Sequence, residues 1–117
     1  MSFLSNLFGP PLPSIEVTAV QAKLNEKPKP LVLDVREPSE YAAGHIAGST
    51  LIPLPQLAGR MGQLPKDREI ICVCASGSRS SSAARHLMKH GYTVLNLSGG
   101  MSRWQRAGLP VKKGKGK

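Results

Sequence analysis

The sequence predicts an α/β fold on three observations. Short β-branched runs alternate with amphipathic stretches at helical spacing; Gly, Pro or Ser separates each pair; and one apolar run is nearly continuous. That run, Leu31 to Val35, closes on Asp34-Val35-Arg36, the pattern of a strand buried on both faces of a parallel sheet with its polar end at the carboxyl edge. The elements follow in order. Ile15 to Val17 reads as a strand, and Thr18 as the N-cap of a helix through Asn25, with Val20 and Leu24 four residues apart. Glu26 to Pro30 is a Pro/Lys turn. Beyond the buried strand, Pro38-Ser39 opens a short helix through Ala43 that Gly44 stops, and Thr50 to Ile52 is a strand ending before Pro53. Leu54, Leu57, Met61 and Leu64 recur at helical spacing, so Leu54 to Leu64 is read as helix. Glu69 to Cys74 is the next strand. A helix from Ser78 to His90 follows it, with Ala84, Leu87 and Met88 on one face and Gly91 at its end. Thr93 to Leu97 gives the last strand, Gly99-Gly100 a turn, and Met101 to Ala107 a final helix.

A chain of 117 residues, 40% of them hydrophobic, suits one domain with its own core and excludes disorder throughout. The expected organisation is an N-terminal hydrophobic arm over 1–13, a folded domain over 14–111 and a basic flexible tail over 112–117. In the arm, Phe3, Leu4, Leu7 and Phe8 precede a Gly-Pro-Pro-Leu-Pro breaker; packing on its own domain is favoured over a membrane anchor or a dimer contact. The tail holds Lys112, Lys113, Lys115 and Lys117, part of an excess of 16 basic over 7 acidic residues that leaves a net charge of +9. A solvated end is its plainest reading, with contact to nucleic acid, an acidic partner or an anionic membrane as the alternative. Five aromatic residues and no long basic helix argue against nucleic acid, and the charge is read as favouring small anions. No apolar run approaches the ~20 residues that span a bilayer, and the first ten residues lack a basic n-region and a small-residue cleavage site. A cytoplasmic protein is expected.

The chemistry concentrates in Cys74-Ala75-Ser76-Gly77-Ser78-Arg79-Ser80, where a buried strand meets a helix. Ligands of open α/β sheets bind at the carboxyl ends of the strands. A loop of small residues there turns its backbone N–H groups inward and makes an anion nest over a helix N-terminus. A free thiol of pKa near 8.5 is only about 3% thiolate at pH 7; lowering it by roughly two units takes about 2.7 kcal/mol, within reach of several N–H donors and a guanidinium. Arg79 is the expected cation. Cys74 as a buried small hydrophobe is the bland alternative, but Gly77 and the three serines have no core-filling role and suit close approach of backbone to an anion. Cys72 and Cys74 lie one residue apart, which is neither a disulfide framework nor metal-ligand spacing, and His45, His86 and His90 complete no metal set.

Three separated motifs make the chain resemble a single-domain rhodanese over about Ile15 to Pro110. Leu33-Asp34-Val35-Arg36, with Glu40-Tyr41 and Gly44-His45-Ile46-Ala47-Gly48-Ser49, is similar to the family's first signature. Cys74 to Arg79 resembles its six-residue active-site loop, and Ser98-Gly99-Gly100-Met101 with Trp104 its C-terminal signature. The resemblance implies a three-layer fold, a central parallel sheet of about five strands flanked by helices, and a thiosulfate sulfurtransferase working without a cofactor or metal. Cys74 would become a persulfide, with the loop from Ala75 through Ser76, Gly77, Ser78, Arg79 and Ser80 holding its charge. A thiosulfate or persulfide donor would supply the sulfur; cyanide, a small thiol or an acidic sulfur-carrier protein would take it. Asp34 and Arg36 are possible supporting residues, read first as a turn-ordering carboxylate and a structural ion pair. His45 and the Gly99-Gly100 turn with Trp104 are read as structural, and Cys72 as a buried sheet residue on the same strand face as Cys74.

Two rival functions remain. A cysteine-dependent phosphatase or arsenate reductase uses the same nest, but its signatures place five residues between Cys and Arg, where this loop has four because position 80 is serine. A noncatalytic rhodanese-like module that binds or regulates a partner would not need Cys74.

Overall fold

The computed structural model describes residues 11–115. Its five strands are β1 (Ser14–Ile15), β2 (Leu31–Asp34), β3 (Thr50–Leu51), β4 (Ile70–Val73) and β5 (Val94–Leu97). All pair in parallel in the order β1-β5-β4-β2-β3. The helices are α1 (Val17–Leu24), α2 (Pro38–Ala43), α3 (Leu57–Arg60), α4 (Ser78–Lys89) and α5 (Gly100–Arg106). Strand alternation divides the core into two halves, as burial on both faces requires. On one face Leu33, Ile70 and Cys72 pack with Leu57, Ala83, Ala84 and Leu87; on the other Val32, Ile71 and Val73 pack with Val17, Val20, Met101 and Trp104. The α/β class, the parallel sheet and its five strands are those expected from sequence.

Three local readings change. Val17 belongs to α1 and not to the first strand, and Glu16 replaces Thr18 as the N-cap. β1 is an edge strand with one neighbour, and burial of Val17 beside Val20 turns the chain into helix at once. The stretch from Leu54 to Leu64 is not one helix but 3-10 turns over Leu54–Gln56 and Met61–Gln63 flanking the single turn of α3. Gly59 and Gly62 weaken helix there while the leucines keep their inward spacing. The tail is bound at its start. Lys112 exchanges both backbone hydrogen bonds with His45, at 2.9 and 2.8 Å, and the Gly114 N–H donates to the Ala42 carbonyl at 2.8 Å. Within the arm, Leu12 packs on the core and the Pro13 carbonyl accepts the Asn96 N–H; residues 1–10 lie outside the described residues, as do 116 and 117. Among the described residues no helix is long and apolar enough to cross a membrane.

Strand order fixes where a site can form. The chain leaves β2 through α2 toward β3 and leaves β4 through α4 toward β5, in opposite directions along the sheet. The carboxyl ends of β2 and β4 therefore flank a topological switch point, the crevice where open α/β sheets bind ligands.

Candidate active site

Cys74 follows the last residue of β4 at this switch point and is only 1% exposed. The chain reverses over Ala75 and Ser76 and enters α4 through Gly77, whose φ of +108° is left-handed and is carried without strain by glycine. This turn aims the Gly77 N–H at the Cys74 Sγ, 3.0 Å away. One turn into α4 the buried Ser80 hydroxyl lies 3.3 Å from the same sulfur and 2.6 Å from the Asn96 Oδ1, so one proton serves two acceptors. Asn96, on β5, also donates from Nδ2 to the Gly77 carbonyl at 3.2 Å and ties both ends of the turn to the sheet.

The α5 side closes the loop from behind. The N–H groups of Met101 and Ser102 donate to the carbonyls of Cys74 and Ala75 at 2.8 and 3.0 Å. Gly100, at φ +57°, lets the two backbones meet, since a Cβ there would overlap the Cys74 carbonyl oxygen and the Ala75 carbonyl group. Trp104 anchors α5 by burial and by donating Nε1–H to the Pro110 carbonyl at 2.9 Å.

Burial pushes the Cys74 thiol up, but the Ser80 hydroxyl and the N–H groups of Ser80, Gly77 and Ser76 pull it down further, and the net result lies below an ordinary thiol. Cys72, two residues earlier on β4, shows burial without donors: its thiol is pushed up to about 12 by desolvation, with the charge of Cys74 adding to it. Of the two free cysteines, one thus has its thiolate favoured by donors and the other has its thiol favoured by burial.

Arg79 has a carboxylate partner of its own. Its Nη1 and Nη2 donate to the two Glu40 carboxylate oxygens at 2.8 and 2.9 Å, joining the first turn of α4 to the first turn of α2 across the switch point. Hydrogen bonding to Arg79 takes the Glu40 carboxyl down to about 2, against a smaller opposing effect of burial. The donors that act on the sulfur are amides and a hydroxyl.

A rhodanese-like domain model matches residues 16–107. The chain belongs to the rhodanese family. A sulfurtransferase of Allochromatium vinosum is 39% identical over 83% of this chain and 92% of its own. The thiosulfate sulfurtransferase GlpE of Pseudoalteromonas translucida is 35% identical over 73% of this chain and 82% of its own. Other curated relatives are longer, and the chain spans 61% and 51% of two of them. Among solved structures, the crystal structure of a rhodanese-related protein from Thermoplasma volcanium aligns with a TM-score of 0.81 at 33% identity, over 86% of this chain and 97% of that one.

In this rhodanese the remaining sequence-derived residues separate into support and scaffold. Asp34 and Arg36, at the end of β2, form a buried pair in which the guanidinium donates to both carboxylate oxygens and to the Gly44 carbonyl at 2.8 Å. That pair sets the turn into α2 and with it the position of Glu40. His45 stacks on Tyr41 at 3.7 Å between ring centroids and shares a hydrogen bond with the Tyr41 carbonyl, a structural place. Ser76 gives its amide to the nest. Asn96 and Glu40 were not singled out as site residues from sequence. A lone amide inside the apolar run Val94-Leu95-Asn96-Leu97 was the available signal for the first; Glu40 was visible only as part of a signature.

Proposed function

We propose that this rhodanese moves sulfane sulfur through a persulfide on Cys74. The observation that carries the reading is the thiol lowered by Ser80 and three loop amides at the floor of an anion nest. In the first half-reaction the Cys74 thiolate attacks the outer sulfur of thiosulfate; the S–S bond to the sulfonate sulfur breaks with its electron pair, sulfite leaves, and Cys74 holds S–S⁻. A persulfide R–S–S⁻ reacts in the same way and releases R–S⁻. In the second half-reaction a thiophile attacks the outer sulfur; cyanide leaves as thiocyanate and the Cys74 thiolate returns. Neither half changes total charge or needs a cofactor. The nest from Ala75 to Ser80 stabilises the terminal sulfur in both directions, because its dipoles are fixed before reaction. With a cysteine 1% exposed, the site favours small electrophiles that approach end-on, such as a terminal sulfur atom. The names of the relatives support thiosulfate as a donor. A persulfide donor, a small thiol or an acidic sulfur-carrier acceptor, and a cytoplasmic setting belong to the same proposal; the charge of +9 favours acidic partners.

Intact mass before and after thiosulfate, then after cyanide, tests the reading on wild type and Cys74→Ser. The expected result is a gain of one sulfur that requires Cys74 and is removed by cyanide as thiocyanate. The absence of any gain from thiosulfate or from an alkyl persulfide, under reductant-free conditions, would overturn it.

A further inference from the structure

We propose that Glu40 is a positioning residue of the Cys74 site: by engaging Arg79 it cancels that cation at the mouth of the loop and holds down the site's preference for dianionic sulfur donors. Its meaning for sulfur donors rests on the carrier reading above. Both side chains are about a third exposed, and the pair joins the first turns of α2 and α4, the two helices that begin at the carboxyl ends of β2 and β4 beside Cys74. Glu40 is itself fixed. Its Oε1 accepts the Glu37 N–H at 2.9 Å in the capping box of α2, and α2 is set by the buried Asp34–Arg36 pair. The carboxylate is therefore built in place and does not drift onto Arg79 by chance. Arg79 follows the Cys74–Gly77 turn by two residues in the first turn of α4, and its guanidinium and the Cys74 thiolate favour each other's charged form. With Glu40 present, an incoming anion meets a neutral pair and the dipoles of the nest. A monoanionic persulfide tolerates that mouth better than thiosulfate, whose two charges approach a thiolate.

The test alkylates Cys74 with iodoacetate and iodoacetamide and takes the ratio of the two rate constants. The ratio cancels thiolate fraction and nucleophilicity and leaves the field at the mouth. A unit charge about 8 Å away at an effective dielectric of about 40 changes approach of a monoanion about five-fold. Glu40→Gln, whose amide oxygen still accepts the Glu37 N–H, is expected to raise the ratio about five-fold at low salt, an effect that fades at high salt. Arg79→Gln is expected to lower it by a similar factor, and the double variant to return within about two-fold of wild type. With thiosulfate, Glu40→Gln is expected to lower KM more than it changes kcat. An unchanged or reduced ratio in Glu40→Gln overturns the proposal; if that variant does not fold, an unchanged ratio in Arg79→Gln does so. A wild-type protein that takes up no sulfur refutes the carrier reading instead, and the alkylation ratios still decide the role of Glu40.

Discussion

Replacing Ser80 by alanine separates a nest that activates sulfur from one that merely encloses it. The hydroxyl stands 3.3 Å from the Cys74 Sγ and is the foremost of the groups that pull the thiol down against burial. A hydrogen bond to a charged acceptor contributes about 1.5–3 kcal/mol, or about 1–2 pKa units. Part of that is already spoken for, because the same proton has the Asn96 Oδ1 as a second acceptor at 2.6 Å and loses that bond when it turns to the thiolate. The difference leaves a rise of about one unit in Ser80→Ala. The assay is the pH dependence of iodoacetamide alkylation between pH 5 and 10. In that range Cys72, buried and pushed up to about 12, adds no second titration. The midpoint is the quantity to compare, since a more basic thiolate is also the better nucleophile and recovers part of the lost rate. Sign follows from linkage: the donor favours the deprotonated form, so its loss moves the midpoint upward and never downward. A midpoint equal to that of wild type, in a variant with unchanged circular dichroism, would refute the role given to Ser80.

Three further outcomes are expected. Gly100→Ala places a Cβ against the Cys74 and Ala75 carbonyls at a left-handed φ and should cost about 2–4 kcal/mol in urea unfolding, with faster alkylation of a loosened Cys74; a cost under 1 kcal/mol would contradict the close approach. Arg36→Met leaves the buried Asp34 carboxylate with the residue 36 backbone N–H but without its countercharge, and the Gly44 carbonyl without the guanidinium, and should cost about 3–5 kcal/mol by the same measurement, partly recovered on adding Asp34→Asn. Cys72→Ala should flatten the alkaline limb of stability. Unfolded thiols ionise near 8.5 while native Cys72 keeps its proton to about 12, so above about pH 9 the unfolded state holds fewer protons and native stability falls by up to about 1.4 kcal/mol per pH unit. The wild-type advantage over the variant should therefore shrink from pH 9 to 11, and parallel curves would contradict the shift.

The loop was legible because its signal is local: small residues directly after a buried strand have few uses other than bringing backbone to an anion. Cys72 was legible as scaffold for the same reason, since two residues along one strand share a face. What sequence missed spans long separations. Glu40 and Arg79 lie 39 residues apart and meet only because α2 and α4 begin on either side of the switch point. Asn96 reaches Ser80 over 16 residues because β5 lies beside β4. Arg79, expected as the cation of the loop, also has a partner that sequence could not supply: a cation beside a cysteine in sequence says nothing of the carboxylate that topology brings to it. The misread stretch from Leu54 to Leu64 is a different failure, one of regularity, in which inward leucines kept helical spacing while two glycines let the backbone break into single turns.

The two ion pairs of the site share a logic that the net charge hides. The chain carries an excess of nine positive charges, yet at the switch point Arg36 is matched by Asp34 and Arg79 by Glu40. Each pair is neutral as a unit, and the Glu40–Arg79 pair spans the two helices that frame the crevice. Negative charge on sulfur is then held by groups that bear no net charge: the Gly77, Ser76 and Ser80 amides and the Ser80 hydroxyl. Such dipoles favour charge where it develops without drawing anions from a distance, so the site favours a thiolate, and under the proposed function its persulfide, without becoming a general anion trap. Long-range attraction falls to the excess of basic residues elsewhere on the chain, where salt screens it. Under the proposed function, recognition of an acidic carrier and sulfur transfer should accordingly respond to ionic strength separately, the first weakening steeply and the second, measured with cyanide, changing little.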